Sequence, residues 1–427
     1  MTIDFPYPGY EAITPVEVPE ASLQDVYAPR PMSGGNEDSI IGRAIAAPIA
    51  APRLRDAVGA RDRVLLLVDD ATRGTPVARV LPHVAAEFEA AGIPDERISV
   101  LTAQGTHRRM TERELQRKLG AFRGRFVVHQ HDWLDVDRLR DFGRTSDGTR
   151  VTTNRLLAEA DFVLGIGSIV PHRIKGFSGG AKIAFPGVAG REIQERNQWE
   201  AALRRSEEVM GAAETPMRRR IEEAARLVGL RYIVNCVPDG AGGLAGCFAG
   251  DVVAAHRAGC ELSREINEVV LSARADIVIA DSHPADHDVW QSAKGVYSGT
   301  MAVRDGGVLI LVAPNPGGVA ESHPVMLDVG YRPFPELARL VAQHAVSDVV
   351  GIAVLADLAQ VMDRVECTLV SPGVPRAQAE RIGFRYADSV QKALAMAFDR
   401  CGGLARVAVL RRGGQILPRV LGERYGA

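Results

Sequence analysis

His172, the pair Gly179–Gly180 and Lys182 follow one another closely in the segment PHRIKGFSGGAKIAFPGVAG, Pro171 to Gly190. An imidazole moves protons near neutral pH. A glycine turn lets backbone N–H groups approach an anion, and an amine supplies a charge or a nucleophile. Together they suit a site for a phosphorylated cofactor. His107 ends a second such stretch, Ala103–Gln104–Gly105–Thr106–His107, ahead of the capping box Thr111–Glu114. A lone histidine before a helix is usually surface decoration. Two histidines on separate loops can instead serve opposite faces of a substrate, as inversion of a carbon centre requires.

Asp69–Asp70–Ala71–Thr72–Arg73 is a third stretch with chemical capacity. Neighbouring strand residues point to opposite faces, so one aspartate suits a ribose or ring contact and the other a cap. Arg73 can fork onto a carboxylate or serve a structural ion pair. In SHPADHDVWQSAK, Ser282 to Lys294, His283 and His287 have metal-ligand spacing only if the stretch is helical, and Pro284 opposes that. Gln291 and Lys294 lie one helical turn apart and can reach one ligand. His129 and His131 read as exposed polar residues, and Arg173 and Lys175 as solvating the His172 loop.

The elements that must position these residues are short apolar runs alternating with amphipathic stretches. That is the rhythm of βα units around mostly parallel sheets. Strands are expected at 63–68, 98–102, 126–128, 162–166 and 232–237, with helices at 76–91 and 112–119 and one or two more within 192–230. A hairpin loop is expected at 239–250. A second series has strands at 277–280, 308–312, 351–355, 367–370 and 407–410, with helices at 333–343 and 389–399. The expected fold is α/β, in two α/β domains with the active site in the cleft between them. The catalytic and cofactor-binding domain covers 1–265 and a substrate-closing domain 266–400, joined by a helix near 262–274. A segment at 401–427 is expected to pack back on the first domain. Loops after the carboxyl ends of parallel strands converge on one crevice, and all three first-domain stretches occupy such loops.

The 427 residues carry a formal net charge of −2 and are 46% hydrophobic, which gives no reason to expect nucleic acid or an acidic membrane as partner. Five scattered cysteines without a C-x-x-C pair point to reduced thiols in a cytoplasmic protein. The start, MTIDFPYPGYEAITP, lacks the basic and apolar blocks of a signal peptide. No G-x-G-x-x-G follows the first strand, which argues against an ordinary dinucleotide dehydrogenase.

Taken together, DDATRGTP (69–76), TAQGTHRRMT (102–111), PHRIKGFSGGAKIAFPGVAG (171–190) and DVWQSAK (288–294) resemble the nickel-pincer lactate racemase family, in its motif order and over most of the chain. The resemblance implies a nickel-pincer nucleotide derived from nicotinic acid mononucleotide, supplied by cofactor biosynthesis enzymes and tethered to Lys182. It places Ser178, Gly179, Gly180, Asp70 and Gln291 at that cofactor. His107 and His172 match the acid/base pair, while Arg73 and Lys294, with Trp290, match substrate contacts. The implied reaction is racemisation or epimerisation of a 2-hydroxy acid by hydride abstraction and return. Trp290, His283 and Lys175 suggest a substrate larger than lactate. The alternatives are a hydride-transferring oxidoreductase that releases the keto acid, or a cofactor-binding homologue without nickel catalysis.

Two positions depart from the family pattern. Gly74 replaces a proline, and Gln198 stands where the family carries the histidine that ligates nickel. An amide oxygen is a harder and weaker donor for nickel than imidazole.

Overall fold

The computed structural model describes residues 1–423 apart from Pro6, Ala12, Ser33 and Gly34. Two compact units emerge. One comprises Arg30–Asn197 and Gly211–Ile266, and the other Met1–Pro29, Gln198–Met210 and Asn267–Ala427. These bounds differ from the expected 1–265, 266–400 and 401–427. The first 29 residues cluster with the later unit, because the strand Leu23–Tyr27 pairs in parallel with Val407–Leu410. That same strand, Val407–Leu410, pairs with Ala275–Asp281, so this part of the expected 401–427 segment is built into the later unit's sheet. The segment's last four residues lie outside the described ones.

Among the described residues, each unit carries one six-stranded sheet. In the first unit the order across the sheet is Leu244–Gly250, Leu230–Pro238, Phe162–Ser168, Val64–Asp69, Ile98–Ala103 and Val127–Gln130. All neighbours are parallel except the hairpin partner Leu244–Gly250. From Val64–Asp69 the chain winds outward through the strands at 98 and 127, then restarts on the other side with Phe162–Ser168. The reversal is a topological switch point, where open α/β sheets bind ligands. One face is covered by the helices Glu37–Ala46 and Val77–Ala90. The other is covered by Ala181–Ala189 and the helix Pro216–Leu227. Both faces are thus dry, and the central strands read as continuous apolar runs for that reason.

The second unit's sheet is parallel throughout, in the order Arg385–Tyr386, Glu366–Val370, Val303–Val312, Ala275–Asp281, Val407–Leu410, Leu23–Tyr27. One expected strand is overturned: Gly351–Leu355 lies inside the helix Val349–Met362, N-capped by Asp348. Nearly every residue of that helix is buried, so its composition is apolar without a polar stripe, and a short window of it reads as a strand. The stretch 192–230 holds three helices, Arg191–Ala202, Ser206–Val209 and Pro216–Leu227. Near the expected junction, the helix Ala254–Asn267 gives way to the strand Glu268–Leu271. Only Asp239–Gly243 of the expected hairpin loop is turn, since Leu244–Gly250 is its return strand. Among the described residues no helix is long and apolar enough to cross a membrane.

Candidate active site

The first unit gathers its chemistry on the loops after Val64–Asp69, Ile98–Ala103 and Phe162–Ser168. Asp70 is buried and lies with Oδ2 3.0 Å from His107 Nδ1. Its Oδ1 accepts the Thr72 N–H at 2.7 Å, and the Thr72 hydroxyl lies 3.2 Å from the same imidazole nitrogen. Burial alone would raise the Asp70 carboxyl, but His107, Arg73 and Thr72 outweigh it and hold the group well below the usual carboxylate range. Asp69 faces the other way, as the alternation of a strand demands. It pairs with the buried Lys118 ammonium at 2.6 Å and accepts the Thr75 hydroxyl. Lys118 also donates to the Arg73 carbonyl at 2.9 Å, fixing the backbone from which Arg73 projects. A Cβ added at Gly74 meets nothing, so the missing proline leaves no gap in packing.

The His107 loop is anchored from beneath. Gly105 adopts φ +59° and donates to the Gly187 carbonyl at 2.9 Å, while His107 N–H donates to Gln104 O at 3.0 Å. The buried Gln104 side chain is in turn held by Gln130 at 2.9 Å.

His172 sits on a tight hairpin, Pro171–His172 against Gly176–Phe177. Its Nδ1 accepts the Ile174 N–H at 3.1 Å. A neutral ring in that bond carries its proton on Nε2, an assignment that follows from the bonding pattern. Arg173 and Lys175 are buried, contrary to the expectation that they only solvate this loop.

Lys182 lies on the 3₁₀ turn Gly180–Ile183, entered through Gly179 at φ +72° and Gly180 at φ +60°. These glycines serve packing as well as conformation. A Cβ on Gly179 would stand 2.7 Å from Asn235 Oδ1, and one on Gly180 2.7 Å from the His256 ring. Asn235 Oδ1 also accepts the Gly180 N–H at 2.6 Å. The Ser178 hydroxyl donates to Ser168 O at 2.7 Å and accepts Val170 N–H at 2.9 Å. The Ser178 hydroxyl, expected at the cofactor, and the Gly180 amide, on the glycine turn expected beside a phosphate, both bond within the protein. Burial, then the cations Arg73 and Arg218, push the Lys182 ammonium down to about 7, with Asp70 and Asp69 opposing.

Sequence reasoning missed the groups that support this turn. Arg218, fully buried on Pro216–Leu227, donates to Lys175 O at 3.1 Å and Gly179 O at 3.2 Å, and also to Phe177 O. His256 bonds Ser178 O at 2.9 Å. Asn235 was detectable as a lone amide within an apolar strand. Arg218 was not, since its helix reads as amphipathic. His131, expected to be exposed, is buried between Ala189 O at 3.1 Å and Asn154 at 3.3 Å, and its burial pushes it down to about 4.

The second unit holds the remaining expected residues. Asp288 caps the helix Val289–Gly299 through the Gln291 N–H at 2.8 Å, and Lys294 Nζ donates to Gln291 Oε1 at 2.7 Å. The Trp290 ring lies 4.6 Å from that of His323. His283 pairs with Asp286 at 3.1 Å and His287 with Glu321 at 2.7 Å, so the two histidines do not share a ligand. Gln198 is half-buried beside Trp199, which stacks on Phe334 at 6.2 Å. Among the described residues no three His, Cys, Asp or Glu side chains gather to hold a metal.

The family model of the lactate racemase N-terminal domain matches residues 10–210, and that of the lactate racemase C-terminal domain matches 270–417. A lactate racemase from Thermoanaerobacterium thermosaccharolyticum is 32% identical over 284 residues, which are 65% of this chain and 66% of that protein, just under two thirds of its length. One from Lactiplantibacillus plantarum is 28% identical over 292 residues, 67% of this chain and 68% of that protein. The structure of the lactate racemase apoprotein from T. thermosaccharolyticum superposes with a TM-score of 0.87 at 25% identity, covering 98% of this chain and all of that one. A Thermotoga maritima protein shares the fold, with a TM-score of 0.73 at 21% identity over 91% of this chain and 99% of that one.

Proposed function

The chain belongs to the lactate racemase family, and from that premise we propose that it interconverts the two hands of a 2-hydroxy acid, with His107 and His172 moving the hydroxyl proton. The observation that carries this reading is the pairing of Asp70 with His107 Nδ1 at 3.0 Å. A carboxylate at Nδ1 fixes the imidazole with its basic lone pair on Nε2, so His107 is set to take a proton. His172 accepts at Nδ1 and so presents an Nε2–H. One ring is held as a base and the other as a donor, the asymmetry that one direction of inversion needs; the reverse reaction exchanges the roles. Arg73, with its backbone pinned by Lys118, is the group assigned to the substrate carboxylate, together with Lys294. Gln291 and Trp290 complete the assigned contacts.

Lys182 suits a covalent anchor because its amine, pushed down to about 7, is substantially uncharged at neutral pH and nucleophilic. The nickel-pincer nucleotide fits the chain at that anchor. When bound, it supplies the hydride acceptor that a Cα–H beside a carboxylate requires. The family resemblance assigns Gln198 to the nickel-ligand position, where its amide oxygen would hold the metal less well than imidazole.

The expectation of a large substrate loses ground. Lys175 is buried, Trp290 packs beside His323, and His283 is paired with Asp286. The test is a panel of resolved 2-hydroxy acids, from lactate to aromatic and sugar acids, followed by chiral chromatography on the cofactor-loaded chain. Loss of optical purity without keto acid is expected. Accumulating keto acid would instead make the chain an oxidoreductase, and no turnover with a full mass addition at Lys182 would make it a cofactor-binding protein.

A further inference from the structure

Where Leu230–Pro238 pairs antiparallel with the edge strand Leu244–Gly250, Cys236 stands directly opposite Cys247. Opposed residues project to the same face, with Cα atoms about 4.5–5.5 Å apart, and a disulfide spans Cα separations of about 4.4–6.8 Å. Cys236 is buried in the core beneath Glu37–Ala46 and Val77–Ala90, and Cys247 packs against that core from a half-exposed position. Both are thiols here. One partner is thus reachable by a small oxidant, and the other waits behind it.

The next residue links the pair to the candidate site. Asn235 projects to the opposite face, is fully buried, and holds the Gly180 N–H at 2.6 Å, on the turn that carries Lys182. The Cys236 carbonyl accepts the Ile169 N–H at 2.9 Å, on the loop that leads to His172. Closing a disulfide draws the two Cβ atoms from about 4.5–5.5 Å to about 3.8 Å. That displacement falls on the backbone between these two contacts.

We propose that Cys236 and Cys247 form a reversible disulfide under peroxide, and that its closure alters the Lys182 turn through Asn235. The Cys247 thiolate attacks hydrogen peroxide: an S–O bond forms, the O–O bond breaks, and hydroxide leaves as water. The Cys236 sulfur then attacks Cys247. The S–S bond forms, the S–O bond breaks, and a second water departs with the Cys236 proton. Two thiols lose two electrons, and the peroxide is reduced to two waters. The inference stands apart from the racemase reading, since neither cysteine touches the assigned catalytic groups.

The test uses the purified full-length chain, treated with stoichiometric hydrogen peroxide, alkylated and mapped by mass. Two of the five thiols should be lost, with a mass about 2 Da lower in the linked peptides, restored by dithiothreitol. The rate at which an amine-reactive ester labels Lys182 should change by about threefold or more on oxidation. Cys247→Ser should label like the reduced wild type and ignore peroxide. Oxidation of Cys247 to sulfinic acid without pairing overturns the proposal. A disulfide that leaves Lys182 labelling unchanged overturns its coupling to the turn.

Discussion

Asp70 Oδ2 and His107 Nδ1 lie 3.0 Å apart, a buried carboxylate against a half-buried imidazole. The contact fixes which ring nitrogen can act, and it predicts the effect of removing the charge alone. Asp70→Asn presents an amide that can donate to Nδ1 and drive the ring proton to Nε2. Activity of the loaded chain should then fall by about 10²–10⁴-fold in kcat with KM little changed. Since Asp70 titrates below its ordinary 3.8, its stabilisation is complete above that value and is lost as pH falls below it. The stability gap between wild type and Asp70→Asn, read from urea melts, should therefore narrow on acidification below about 4.

Lys182 offers a chemical readout that needs no cofactor. The chain has only five lysines, at 118, 175, 182, 294 and 392. With its ammonium pushed down to about 7 from 10.5, Lys182 is mostly neutral at pH 8 while an ordinary lysine is charged. An amine-reactive ester at that pH should label Lys182 ahead of the exposed Lys392. Between about 7 and 10.5 the unfolded chain binds the extra proton, so this group makes folding more favourable as pH rises through that window. Lys182→Met should remove that slope, and equal labelling of Lys182 and Lys392 would contradict the assignment.

Arg218 holds three carbonyls of the Lys175–Gly179 loop from a fully buried position. Arg218→Met leaves those acceptors without their cation and should cost about 3–5 kcal/mol. Arg218→Lys keeps the charge but loses the planar fork, and should cost about 1–3 kcal/mol. Denaturant midpoints measured at constant m-value give both numbers.

Gln198→His tests the metal. In protein co-produced with the cofactor-making enzymes, the variant should retain nickel at least about tenfold more tightly than wild type through dialysis against chelator. The mass addition at Lys182 should be the same in both. Equal nickel retention would show that position 198 does not face the metal.

Much of this arrangement is written in short local patterns. The strands ending in Asp69 and Ala103 announce themselves as apolar runs, and the box Thr111–Glu114 predicts a helix start that the structure shows with both reciprocal bonds. What escaped notice depends on distant partners. Lys118 meets Asp69 from a helix whose charged composition suggests an exposed face, and Arg218 reaches back about forty residues to its carbonyls. The strand Leu23–Tyr27, LQDVY, carries no apolar run because it is a sheet edge and half-exposed. Gly351–Leu355 misled for the opposite reason. A helix buried all round has no period to read.

That edge strand has a consequence for how the molecule comes into being. Leu23–Tyr27 and its partner Val407–Leu410 lie on either side of the whole first unit along the chain. The sheet they share closes over that long separation, while the first unit's sheet draws every strand from between Val64 and Gly250. The later unit therefore carries the longer-range and slower pairing. Deleting residues 1–29 should spare the module that carries Lys182 and leave the later one with an unpaired edge, open to aggregation.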